Sequence, residues 1–373
     1  MNRETPSALL LFELLARHWS VPAPAVGLVF NRSESRLAAP LADGSLALVD
    51  CADPEPPESR IATDDAGRRT IAPRRSEPRP ATIVAACGTG PAEAVCGPDD
   101  GFLIACRAAS LTRLTAAGTV LPVAPKSAAP LVAFGRSGAT TMIMTSDELA
   151  LTPDGGAPVT APTPSGARAA ALSPDGSTIA FGAEGSIGLS EAAAPGEIVR
   201  RYAAPGPVGP IVWRDDGAFL AASCDSAGLA LLGLSDGRFG NVAGFPFPPQ
   251  SIAFSGPSNA LVASGAYRIA AWDLDRPPFD GDRSGALETG RAGMVPVVEV
   301  AAHPRRRLVA AAYANGQIAI AEPGRRDELI LKASGPTPTA LAWSADGRML
   351  AIAAPDAVSL VTLPDALFKS PEG

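Results

Sequence analysis

The sequence is short of the residues that most often carry chemistry. Histidine occurs only as His18 and His303, so a multi-histidine metal site cannot be assembled within one chain. The five cysteines, Cys51, Cys87, Cys96, Cys106 and Cys224, form an odd set without a C-x-x-C pair. That argues against both a disulfide framework and a zinc site, and they read as reduced, mostly buried small hydrophobes. Lysine stands only at 126, 332 and 369, and aromatic residues make up 5% of the chain. Catalytic signatures are missing too. There is no H-E-x-x-H, no P-loop and no G-x-S-x-G elbow, and the nearest approach to G-x-G-x-x-G, Gly88-Thr-Gly90, meets Glu93 where its third glycine belongs.

An excess of positive charge is also lacking. The net charge is −7 and the pI near 5.1, which excludes a surface built to attract nucleic acid or anionic lipid. No apolar run approaches the roughly 18 residues of a membrane span, because Glu13 and Arg17 interrupt the stretch from Ala8 to Ala16. Its uninterrupted apolar core, Ala8 to Phe12, is too short for a signal peptide, and Glu4 offsets Arg3. The expectation is a cytoplasmic protein that keeps off membranes.

What the chain has is apolar content, 46%, together with 37 glycines and 38 prolines in 373 residues. Length alone suggests two or three domains unless a repeat organises it. A repeat does. Short apolar strands run into polar turns at Phe30, Ala86, Phe134, Leu172, Trp213, Phe254, Ala302 and Trp343, with spacings of 38 to 56 residues, around the period of a four-stranded propeller blade. A second strand follows (Phe219 to Ser223, Met349 to Ala353) and then a third (Ser186 to Ser190, Val358 to Thr362). Hairpin turns between them use Asp-Gly steps at Asp43, Asp100, Asp154, Asp175, Asp216, Asp236, Asp280 and Asp346, plus Asn315-Gly316.

Three stretches carry a resemblance: Ala169-Ala-Ala-Leu-Ser-Pro-Asp-Gly-Ser-Thr-Ile-Ala-Phe-Gly182, Pro210-Ile-Val-Trp-Arg-Asp-Asp-Gly-Ala-Phe-Leu-Ala-Ala-Ser223 and Thr339-Ala-Leu-Ala-Trp-Ser-Ala-Asp-Gly-Arg-Met-Leu-Ala-Ile352. Their strand, Ser-Pro-Asp-Gly-like turn and strand are similar to the WD40 repeat, and the chain resembles a degenerate WD40 β-propeller over residues 20 to 365. Trp-Asp occurs once, at Trp272-Asp273, and Gly-His is absent, so the hydrogen-bond network of typical members cannot form. The overall form resembles uncharacterised bacterial WD40-like proteins, for which the resemblance implies a fold and the role of an interaction platform, without a reaction.

The expectation is therefore a single all-β propeller, eight blades over seven, spanning 18–366 after an N-terminal arm at 1–17 and before a tail at 367–373. After Thr362 only eleven residues remain, with Pro364 and Pro371 among them. The last blade must therefore borrow an outer strand from around His18 to Val21, and ring closure hides the two apolar faces that an open solenoid would expose. Residues 53–80, rich in proline, arginine and acidic residues, read as a surface connection inserted in the first unit.

Function is expected to be non-enzymatic, without cofactor or metal. A protein or peptide partner docks on the face formed by the loops between blades and between second and third strands, and the chain is a monomer. Candidates for that face are Phe245 and Phe247 in Gly244-Phe-Pro-Phe-Pro-Pro249, Tyr267 and Arg268 in Gly265-Ala-Tyr-Arg268, and Tyr313 and Asn315 in Tyr313-Ala-Asn-Gly316. Aromatics on rigid loops are common interface anchors. The alternative is a calcium-type propeller hydrolase or lactonase, whose ligands would come from Asp99, Asp100, Glu184, Asp225 and Asp356, assigned to turns between second and third strands. His303, in Ala302-His-Pro304, and the run Arg305-Arg-Arg307 read as turn residues rather than sites.

Overall fold

The computed structural model describes residues 11–63, 69–85, 90–106, 110–123, 129–225, 228–279 and 284–368. These form eight antiparallel four-stranded sheets arranged as consecutive blades. Blade 5 shows the pattern: the inner strand Val208–Trp213, then Phe219–Cys224, Gly228–Gly233 and the outer strand Phe239–Val242. Side chains alternate between the two faces of each strand, and here both faces are covered by neighbouring blades. Leu229 to Leu232 are accordingly all fully buried. Close approach of the sheets relies on alanine; Ala310, Ala311 and Ala312 run consecutively at 0% exposure.

The ring closes as the sequence requires. Ala16–Ser20 pairs antiparallel with Ala357–Thr362, from Ala16 opposite Val361 to Ser20 opposite Ala357, completing the last blade. Its strand starts two residues before the expected boundary at 18. Blade 8 then packs on blade 1 through Ala351, Ala353, Val358 and Leu360 against Leu37, Ala39, Ala47 and Val49. Hydrogen bonds from Thr339 Oγ1 to the Ala25 carbonyl (2.6 Å) and from the Asp346 amide to Glu34 Oε1 (2.8 Å) tie the two blades.

One repeat marker is corrected. The strand before Ala86, Thr82–Ala85, pairs with Ser45–Asp50 as the outer strand of blade 1. The inner strand of blade 2 is Ala92–Cys96. The long insertion separates the third and outer strands of blade 1, which pushed an outer strand into the place where spacing predicted an inner one.

That insertion is built, not loose. It holds a helical turn, Pro57–Arg60, and a small hairpin, Ile61–Thr63 with Arg69–Ile71. It clasps the closing strand. Arg17, 3% exposed, donates to the carbonyls of Ala52 and Cys51 at 2.7 Å each and to that of Asp50 at 3.2 Å. Arg60 reaches the Leu14 carbonyl (2.7 Å), Trp19 Nε1 donates to the Arg79 carbonyl (2.7 Å), and Arg74 grips Asp53 with two bonds of 2.7 and 2.6 Å. A short helix, Leu11–Leu15, buries Phe12 and Leu15 against the last two blades.

The hairpin aspartates are consumed locally. Asp43, Asp175, Asp216, Asp236 and Asp346 each accept the amide two residues on at 2.8 to 3.0 Å; Asp280 lies outside the described residues. Cys51, Cys96 and Cys224 are free thiols, but Cys106 is disulfide-bonded, contrary to the reduced state expected of all five. Cys87 lies outside the described residues. Among the described residues no helix is long and apolar enough to cross a membrane.

Candidate functional site

Antiparallel blades put the connections between second and third strands on the same face as those from each outer strand to the next inner one. On that face three loops meet beside blade 6: Ala243 to Ser251, Ser264 to Arg268, and Gly290 to Pro296. Backbone hydrogen bonds stitch them. The Phe247 amide donates to the Gly265 carbonyl (3.1 Å), the Gly265 amide to Val297 (2.9 Å), the Val297 amide to Ala266 (2.9 Å) and the Gly293 amide to Tyr267 (3.0 Å). Gly265 sits at φ +89°, and a Cβ there would lie 2.5 Å from the Phe247 carbonyl oxygen, so the junction needs glycine.

The expected residues divide. Phe247 and Tyr267 remain 43% and 40% exposed and meet edge to face, with ring centroids 5.9 Å apart. Phe245 turns inward and tilts against Trp272 at 5.9 Å, packing on the core between blades 5 and 6. Arg268 stands beside Tyr267, with Glu288 3.8 Å from its guanidinium. Asn315 is exposed, and its side chain and carbonyl accept the amides of Gln317 (3.2 Å) and Gly335 (3.0 Å), which is a turn former's role.

Tyr313 is a correction. It is 4% exposed, ends the second strand Val309–Tyr313 and packs in the core between blades 6 and 7. Burial pushes its hydroxyl up to about 12, helped by the negative charge of Glu328. The turn begins one residue later than the sequence suggested, so the strand's inward side claims the ring. Sequence reasoning also missed Met294, 91% exposed in the third loop. The available signal was a lone methionine within Gly293-Met-Val-Pro296, where neither strand periodicity nor a partner strand accounts for it.

The acidic candidates do not come together. Asp99 and Asp100 lie in the turn between the first and second strands of blade 2, on the opposite face from that expected, a consequence of the displaced repeat marker. Asp99 pairs with Arg113, and Asp100 accepts the Ser33 amide (2.7 Å) and hydroxyl (2.6 Å). Glu184 and Asp225 share Arg168 at 3.5 and 3.4 Å. Asp356 stands in the hairpin of blade 8, where its carbonyl accepts the Val21 amide (3.1 Å). Among the described residues no three His, Cys, Asp or Glu side chains are grouped to hold a metal. Two carboxylates stand on inner strands instead, Glu93 in blade 2 and Glu299 in blade 7. Desolvation raises the half-buried Glu299 to about 7 against the opposing Ser251 hydrogen bond.

The other face is paired. His303, 1% exposed, lies 4.7 Å from the Trp343 ring and donates from Nε2 to the Gly347 carbonyl (3.0 Å), while Nδ1 accepts the amides of Arg305 and Arg306 at 3.0 Å each. Nδ1 thus fixes the turn of blade 7, and Nε2 joins that turn to blade 8. Nearby, Arg306 pairs with Asp365, Arg307 and Arg325 with Glu322, and Arg326 with Glu288.

No protein-family model matches the chain, and no curated protein does. Solved structures do. The C-terminal WD40 domain of Sif2 superposes with a TM-score of 0.66 at 14% identity, covering 93% of this chain and 99% of that domain. A chain of the mitotic checkpoint complex gives 0.55 at 13% identity, covering 72% of this chain and 88% of its own. The fold is thus that of a degenerate WD40 propeller with eight blades.

Proposed function

We propose that the chain is a non-catalytic, monomeric interaction platform whose loop face beside blade 6 docks a protein or peptide partner. The observation that carries this reading is the cluster of Phe247, Tyr267 and Met294, three of the exposed large apolar side chains, on loops already fixed by hydrogen bonds. Anchors held in place lose little freedom on binding. The fold's presence in the mitotic checkpoint complex, a protein assembly, fits the same use. The hydrolase alternative finds no converging ligand set among the described residues to support it. Affinity capture with the whole chain as bait tests the proposal. Captured proteins should be lost from Phe247→Ala/Met294→Ala bait of unchanged melting temperature, and retention of the same set would overturn the assignment of the face.

A further inference from the structure

Resting on that docking reading, the charge around the patch identifies the chemistry of its partner. The three loops contain no aspartate or glutamate, although the whole chain carries −7. They contain two arginines, Arg268, next to Tyr267 in the chain, and Arg291, three residues before Met294. Arg268 forms only a long ion pair with Glu288, 3.8 Å to Oε1, and shares that carboxylate with Arg326, whose Nε donates to Oε2 at 2.7 Å. Glu328 accepts the backbone amide of Arg291 (3.2 Å), and the Arg291 guanidinium has no ion pair among the described residues.

We infer that the patch recognises a segment of another protein in which a large apolar residue is flanked by aspartate or glutamate. The apolar residue covers Met294 and the Phe247–Tyr267 pair, and the acidic flanks meet Arg268 and Arg291. Guanidinium and carboxylate match in a fork geometry. A second copy of this chain is a poor occupant, since an isologous contact offers the same three loops, which hold no aspartate or glutamate to meet the arginines. An anionic bilayer is another poor one, since two arginines face the repulsion of a chain of net charge −7.

Selection of random displayed peptides on the intact chain, with affinities then read by fluorescence anisotropy, tests the inference. Enriched peptides should pair one aromatic or aliphatic anchor with nearby acidic residues. Arg268→Glu/Arg291→Glu should weaken them by about tenfold or more, and replacing their acidic residues with lysine should restore binding to that variant. Such rescue separates recognition from misfolding. Enriched peptides that are lost with Met294→Asp yet indifferent to the arginine reversal would overturn the acidic-partner inference and leave the docking reading standing. Enrichment unaffected by Phe247→Ala/Met294→Ala, or no enrichment, would overturn both. A dimer in light scattering that Met294→Asp dissolves, or sedimentation with phosphatidylserine vesicles that the same change abolishes, would also overturn the inference by naming a different occupant.

Discussion

Two Asp-Gly turns, alike in sequence, differ in what surrounds them. Gly217 has φ +71° and nothing within 4 Å of a built Cβ, whereas Gly347 has φ +75° and a Cβ there would stand 2.2 Å from the His303 ring. Gly217→Ala should therefore cost only backbone strain, about 1 kcal/mol. Gly347→Ala should cost more than about 2 kcal/mol, because it also displaces the ring that joins blades 7 and 8; urea unfolding of the two variants measures the difference. Glu299 carries a pH signature. Its carboxyl is raised to about 7 from an ordinary 4.5, so the folded chain holds this proton where the unfolded chain releases it. Its effect on stability is therefore most favourable below pH 4.5 and is lost as pH rises through about 7. Glu299→Gln should raise the melting temperature at pH 8 and leave it nearly unchanged at pH 4, a trend read by thermal scans across pH. The turn positions of the two glycines and the strand position of Glu299 were legible in the sequence. Their neighbours on other blades were not, because those contacts join residues far apart in the chain.

At the scale of elements, the closing strand and the insertion act together. The need for an N-terminal outer strand could be read from the missing fourth strand of the last blade. The clasp could not, since arginine and proline at 53–80 have a loop's composition, and only the fold brings carbonyls of Asp50, Cys51 and Ala52 around Arg17. Removing residues 1–22 should lower the melting temperature sharply. Arg17→Ala should destabilise by about 3 kcal/mol, since it strips a buried charge-assisted set of bonds and leaves Asp53 with Arg74 alone. Hydrogen exchange then distinguishes the mechanism: the Arg17 variant should exchange faster first in Ala16–Ser20 and its partner Ala357–Thr362. Outer strands elsewhere carry their own protection. Pro122 and Pro162 end the outer strands of blades 2 and 3, and Arg200 and Arg201 mark that of blade 4, devices that discourage edge pairing with other chains.

For the whole molecule, period and turn chemistry were enough to set the fold class and to favour eight blades over seven, because each blade must repeat the same alternation and the same hairpins to be covered on both faces; the count itself waited on the pairing of Thr82–Ala85 with Ser45–Asp50, which moved one marker from blade 2 to blade 1. They were also enough to require closure, since an open end would leave an apolar sheet in water. The sequence by itself thus determined a closed propeller ring, eight blades over seven, and a loop face with few aromatics. Tertiary structure decided which of those aromatics remain outside: Phe245 and Tyr313 turn into the cores between blades, while Phe247 and Tyr267 do not, and it set the exposed Met294 in the loop beside them. The physical reason is that local pattern fixes where a strand ends to within a residue or two, and one residue at a strand end separates the inward side of a blade from solvent.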